Sequence, residues 1–255
     1  MAAHPPSTVC FARPPKRTRT ALLLQDRRAR TNRFLDALPG ATRRKLLELA
    51  EPVELDLKQV VCARGEPFTH VYFPVSCVIA IMFHADGGHL EVASVGREGF
   101  MGVGPALGIR QSELEAVVQS PGTALRVATS QFRALLREDR KLRQQVDRFI
   151  WLMLTTVSRN AVCNRFHLVE QRMARWLLSH ADRTQSRIFD VTHAFMAELL
   201  GVRRVGVTTA ATTLQQRGFI TYSRGTVAIR DRDGLRRAAC ACYREELDAY
   251  KRHLD

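Results

Sequence analysis

Residues 191–230 read VTHAFMAELLGVRRVGVTTAATTLQQRGFITYSRGTVAIR, and this stretch decides the architecture of the C-terminal third. Thr192 stands as the N-cap of the apolar run HAFMAELL, where its hydroxyl can accept from an orphan backbone N–H. Gly201-Val202 follows, and glycine is the residue for which a left-handed turn costs least. A second helix then runs over RRVGVTTAATTLQQRG. Ala197 is small where the first helix must approach the second, and Val207 and Ala210 fall on the side turned back to Met196 and Leu200. The remaining face presents Arg203, Arg204, Thr208, Thr209 and Thr212. Two short β runs, 219–222 and 226–230, flank a Ser223-Arg224-Gly225 turn. The pattern is a helix-turn-helix followed by a wing.

Charge supports a polyanionic partner. Residues 191–237 hold eight Arg against Glu198, Asp231 and Asp233. The whole 255-residue chain carries 39 Lys+Arg against 25 Asp+Glu, a net +14. A field of that sign draws nucleic acid or an anionic membrane surface. Hydrophobic residues make up 45% and charged residues 25%, which excludes a disordered chain, a collagen and a disulfide miniature. No glycine-rich phosphate loop, nucleophile elbow or paired-carboxylate site is present, so no catalytic residue and no cofactor is expected.

Upstream of the helix-turn-helix the period of the sequence changes twice. Residues 32–50 predict two short helices broken at Pro39-Gly40. Between 53 and 128, Val53, Leu55 and Leu57 alternate with charged residues. Further β runs at 60–61, 71–73, 78–83, 90–93, 116–118 and 124–127 are separated by turn signals such as Asp86-Gly87-Gly88 and Pro121-Gly122. Many short strands at this spacing predict an antiparallel barrel or sandwich. From residue 129 the pattern turns helical, with a short helix at 130–137 and a long one from 140 to about 167. Along the long helix Leu142, Val146, Phe149, Met153, Val157 and Ala161 recur at three- and four-residue steps, a narrow seam of the coiled-coil type.

Residues 1–30 hold Arg13, Lys16, Arg17, Arg19, Arg27, Arg28 and Arg30 against Asp26 alone, and Pro5, Pro6, Pro14 and Pro15 interrupt any helix. This composition predicts a basic disordered tail. No apolar run approaches the roughly 18–20 residues of a membrane helix, and the N-terminus offers only residues 21–24 as an apolar core, so a cytoplasmic chain with no membrane partner is expected. The six cysteines are scattered, with no paired C-x-x-C. Cys163 and His167, four apart on a helix, could share a metal but make only two ligands. Cys240-Ala241-Cys242 opens a C-terminal helix whose apolar face is Leu235, Ala239, Cys242, Leu247, Tyr250 and Leu254. No metal site is assigned from these pairs. His70, His84 and His89 read as surface or turn histidines.

Taken together, residues 32–230 resemble the CRP/FNR family of bacterial transcription regulators. GEPFTHVYF (65–73) looks like an early turn and strand of its cyclic-nucleotide-binding β-roll, and VGREGFMG (95–102) like the entry to its phosphate-binding cassette. The resemblance implies an α+β chain with an N-terminal double-stranded, jelly-roll-like β-roll, a long dimerisation helix and a C-terminal winged helix-turn-helix. The implied domains are a tail at 1–30, a sensor at 31–137, a dimerisation helix at 138–168 and a DNA-binding domain at 169–255. It also makes the 142–161 seam a homodimer contact. The implied function is a homodimer on a pseudo-palindromic duplex, with Arg204 reading bases, Arg203 and Arg224 on phosphate, and RNA polymerase as a further partner if the protein activates.

Where the family grips ribose with Gly-Glu, this chain has Gly102 and Val103. Where it holds phosphate with Arg-Ser, it has Ser112 and Glu113, with Arg110 two residues before. A glutamate there repels a cyclic phosphate, so cyclic AMP is not expected to bind and any small-molecule effector is unknown. Control by abundance, by a protein partner or by cysteine redox or metal chemistry stays open, as does non-specific binding of nucleic acid. Deleting residues 1–30 is expected to leave circular dichroism and site preference intact while making the salt dependence of DNA affinity shallower. A truncated chain that aggregates or loses its dichroism contradicts that reading of the tail.

Overall fold

A computed structural model describes residues 31–86 and 88–254; the basic tail expected at 1–30 lies outside the described residues. The described residues open with helix α1 (Arg33–Asp36) and helix α2 (Gly40–Glu48), broken at Pro39 as the sequence predicts. Asn32 caps α1 by accepting from the Leu35 N–H at 3.1 Å, and its buried amide donates to the carbonyls of Pro74 (2.8 Å) and Gly99 (2.7 Å). One polar side chain thus anchors the entry segment to two points of the roll.

The roll is built from β1 (Glu51–Leu55), β2 (Val60–Cys62), β3 (His70–Pro74), β4 (Val78–Ala85), β5 (Gly88–Val95), the short helix α3 (Val103–Ala106), β6 (Glu115–Ser120) and β7 (Gly122–Ala128). Its strands form two antiparallel sheets, ordered β1-β7-β3 and β2-β6-β4-β5. The β4–β5 hairpin pairs Ala85 with Gly88. Phe34, Phe73, Phe100, Phe132 and Phe149 fill one core, with neighbouring ring centroids 4.7–6.2 Å apart. Such offset and tilted pairs satisfy the ring quadrupoles while removing large apolar surfaces from water.

Phe149 belongs to a helix. After α4 (Thr129–Glu138), one residue longer at each end than predicted, Asp139 caps α5 (Arg140–Phe166) by accepting from the Lys141 and Leu142 N–H groups. Here the sequence expectation needs correction. Leu142, Val146, Phe149 and Met153 are buried in the chain's own roll core, so they face no partner. Val157 and Ala161, lower on the helix, are exposed. A three-and-four periodicity says that a face is buried, not what covers it. The opposite side carries apolar residues the seam left out: Trp151 (53% exposed), Leu154 (57%) and Val162 (53%).

The C-terminal part comprises α6 (Val169–Thr184), β8 (Ile188–Asp190), α7 (His193–Leu200), α8 (Arg204–Gln216), β9 (Ile220–Ser223), β10 (Thr226–Ile229), α9 (Arg232–Ala238) and α10 (Cys242–Leu254). The wing has three strands, ordered β8-β10-β9; the sequence reading found two, because β8 is three residues long and lies before the helix-turn-helix. The C-terminal helix is also corrected. Ala239 is extended, so Leu235 belongs to α9 and α10 starts at Cys242.

Ala80 and Met82 of β4 share a core with Met173, Trp176 and Leu177 of α6, so the roll and the C-terminal part are packed together. A buried charge triad reinforces the contact. Arg183 of α6 donates at 2.7 Å to Glu98 of the roll and at 2.7 Å to Glu246 of α10. Burial alone would raise the Glu246 pKa, but Arg183 and Arg175 bring it below the usual carboxylate value. Replacing Arg183 with Met leaves two buried carboxylates without their shared cation. Denaturant unfolding of Arg183→Met is expected to show a loss of about 3–5 kcal/mol, largely recovered when Glu98→Gln and Glu246→Gln are added.

Candidate nucleic-acid interface

The helix-turn-helix follows the predicted caps. The Thr192 hydroxyl accepts from the Phe195 N–H at 3.1 Å and starts α7. Gly201 ends it at φ 60°, ψ 44°, and a Cβ at this position would lie 2.6 Å from the Leu90 side chain of β5. Glycine is therefore required twice, for the left-handed backbone and for the close approach of the roll. Beyond the turn, Val207, Ala210, Ala211 and Leu214 bury one face of α8 against Met196 and Leu200.

That packing leaves the other face outward. Arg203 is the N-cap residue of α8 and Arg204 its first residue; both are exposed, as are Thr208, Thr209 and Thr212. Among the described residues neither arginine makes an ion pair. The threonine hydroxyls donate back to carbonyls one turn earlier: Thr208 to Arg204 (3.1 Å), Thr209 to Val205 (3.0 Å) and Thr212 to Thr208 (2.9 Å). With its proton used by its own helix, each hydroxyl offers outward lone pairs and a methyl group. Thr208 Oγ1 also lies 3.0 Å from His193 Nδ1, whose ring stacks on Tyr222 at 4.4 Å. Burial and the neighbouring Arg204 lower the His193 pKa, which favours the neutral ring.

Val205, which cannot accept a hydrogen bond from a base, is 68% exposed beside Arg204 on the same outward face. In the wing, Ser223 pairs with Thr226, and Arg224 (φ 52°) and Gly225 (φ 86°) both take left-handed conformations, as a type I′ turn demands. Arg224 therefore stands at the exposed tip, with no ion pair among the described residues.

The proposed effector residues divide into two places. Arg110, Ser112 and Glu113 line one open groove with Arg64, Gly65 and Phe83. Ser112 is turned inward, donating to the Leu114 carbonyl at 2.6 Å. Gly102 and Val103 lie elsewhere, at the start of α3. Gly102 (φ 148°) is pressed on Val71, where a Cβ would come within 2.7 Å, and Val103 packs on the phenylalanine core. Of the other histidines, His84 lies 3.5 Å from Glu115 and His89 3.7 Å from Glu198.

The two Cys/His pairs that the sequence treats separately converge. Cys163 and Cys240 sulfurs are 3.6 Å apart, and Cys242 lies 3.7 Å from His167 Nδ1. The hydrogen bond with Cys240, aided by Arg175, holds the Cys163 thiol pKa below the usual thiol value. Among the described helices none is long and apolar enough to cross a membrane.

Two family models match the chain: a cyclic nucleotide-binding domain over residues 52–139 and a Crp-like helix-turn-helix domain over residues 171–238. Among solved structures the chain is similar to a transcriptional regulator assigned to the CRP/FNR family from Eubacterium rectale. That pair shares 14% identity over 80% of this chain and 95% of that one, with a TM-score of 0.62. It is also similar to the c-di-GMP responsive global regulator CLP of Xanthomonas campestris, at 17% identity over 75% and 99% of the two chains and TM-score 0.62. A CRP/FNR-family transcriptional regulator from Thermus thermophilus gives 19% identity over 74% and 98%, with TM-score 0.61. At these identities the likeness is one of fold. No curated protein sequence matches the chain.

Proposed function

Built from a cyclic nucleotide-binding domain and a Crp-like helix-turn-helix domain, the chain belongs to the CRP/FNR family of transcription regulators, and from that premise we propose that it works as a homodimer on a pseudo-palindromic operator. Residues 31–137 serve as the sensor, 138–168 as the dimerisation helix and 169–255 as the DNA-binding domain. The observation that carries this reading is the outward face of α8, with two arginines that make no ion pair among the described residues, a row of threonines and an exposed valine on a helix whose other face is buried. Two such helices, roughly 34 Å apart, enter successive major grooves.

Within each half-site Arg204 reads a guanine edge by a bidentate contact, and Val205 meets a thymine methyl group. Arg203 at the helix start and Arg224 at the wing tip hold phosphate, which positions the protein without reading sequence. Thr208, Thr209 and Thr212 accept from bases or neighbouring groups along the same face. Where the protein activates, RNA polymerase is its further partner.

The second copy packs on the exposed side of α5, along Trp151, Leu154, Val157, Ala161 and Val162. Their spacing returns to one side of the helix every three or four residues, and this is the apolar side that the roll leaves uncovered. Cyclic AMP is not the effector in this reading. Val103 supplies no carboxylate for a ribose, and Glu113 stands beside Arg110 in the groove where a phosphate would have to sit.

Three outcomes follow. Arg204→Ala is expected to flatten preference at one base pair per half-site, a loss of roughly 1–3 kcal/mol of discrimination, while Arg224→Ala weakens specific and random DNA by similar factors; an operator library with single substitutions measures both. Leu154→Arg is expected to yield a folded monomer by sedimentation, whereas Leu142→Arg unfolds the chain. Titration calorimetry with cyclic AMP is expected to give no stoichiometric binding, and a tight isotherm overturns the effector reading.

A further inference from the structure

Cys163, His167, Cys240 and Cys242 are distant in sequence and meet at the foot of α5. Cys163 lies in its last turn and His167 is its C-cap, four residues on, with the His167 N–H donating to the Cys163 carbonyl at 3.1 Å. Cys240 and Cys242 come from the link between α9 and α10. The four donor atoms, three sulfurs and one imidazole nitrogen, all lie within 4.8 Å of one another. Buried cysteines ordinarily act as small apolar side chains among aliphatic ones. These three, all buried, instead form a cluster of their own, apart from the large apolar cores.

The spacing suits a tetrahedral ion. With metal–sulfur bonds of about 2.3 Å and metal–nitrogen bonds of about 2.0–2.1 Å, the edges of such a tetrahedron measure about 3.5–3.8 Å. The separations Cys163–Cys240 (3.6 Å) and Cys242–His167 (3.7 Å) fall on those edges. The donor set is soft, thiolate with imidazole, which favours zinc over the oxygen-seeking magnesium and calcium.

The surrounding charge points the same way. Three thiolates around a divalent ion leave a core of one net negative charge. Arg172 is 5% exposed, its Nε has no hydrogen-bond partner, and among the described residues no carboxylate pairs with it. Its guanidinium donates to the Leu200 carbonyl, and negative charge on the Cys163 and Cys240 sulfurs would favour its charged form. A buried guanidinium without a counter-charge is costly, and a metal–thiolate core provides one.

We propose that Cys163, His167, Cys240 and Cys242 form a Cys3His zinc site that ties the foot of α5 to the start of α10. The ligands bracket the connection at His167 and Leu168, where the backbone leaves α5 in extended conformation and enters α6. The ion therefore closes a loop that contains α6, the helix-turn-helix and the wing, and fixes both ends of that segment against the long helix.

The test uses the full chain purified under reducing conditions. Elemental analysis is expected to find one zinc per chain. After chelation, cobalt(II) added to the reduced protein is expected to give the ligand-field bands of a tetrahedral site and thiolate-to-cobalt charge transfer. Cys163→Ser and Cys240→Ser should each abolish that spectrum, and Cys62→Ser, in the roll, should keep it. The thermal midpoint should fall on chelation of the wild type and stay unchanged on chelation of Cys240→Ser. Reduced wild-type protein that takes up neither zinc nor cobalt in stoichiometric amount overturns the proposal, however the variants fold. So does a cobalt spectrum that survives in both serine variants.

Discussion

The helix α5 has to bury one side of its upper half inside the roll, and most of the architecture depends on that contact. Phe149 lies so close to Gly99 that a Cβ there would stand 2.2 Å from its ring. The same ring packs on Phe34 and Phe100, which brings the N-terminal helix, the segment before α3 and α5 into one core. With that side committed, Trp151, Leu154 and Val162 face outward, and the last turn and its C-cap carry Cys163 and His167 to the link between α9 and α10. Three sides and ends of one helix thus meet three different surroundings.

The C-terminal part is held against the roll by two kinds of interaction. Apolar packing joins β4 to α6, and the Glu98–Arg183–Glu246 triad crosses from the roll through α6 to α10. The triad costs desolvation of three charges, and its geometry offsets that only while all three remain. Leu90 on Gly201 adds a direct contact between the β4–β5 hairpin and the turn of the helix-turn-helix.

Much of the candidate interface was legible before any coordinates. The Thr192 cap, the Gly201 turn and the Ser223-Arg224-Gly225 tip are local devices, decided by backbone preferences over two to four residues. The strands and the long helix were legible for the same reason, since period two and period 3.6 report the pleat and the helical turn. Strand β8 was missed because three residues carry too little periodicity. The run from Leu235 to Leu254 looked like one helical face because nothing in Ala239 announces an extended backbone.

By itself, the sequence determined which faces of the elements are apolar, where helices begin and turn, and that one face of the second helix of the turn is basic. It could not say what covers an apolar face. The seam of Leu142, Val146, Phe149 and Met153 has the same spacing whether it meets a second copy or the chain's own roll, and only the packing of Phe149 among the roll's phenylalanines decides for the roll. Nor could it bring Cys163 to Cys240, 77 residues away. Local spacing records neighbours along the chain, whereas a four-residue cluster drawn from two separate segments exists only once hydrophobic burial has folded α6, the helix-turn-helix and the wing back onto α5.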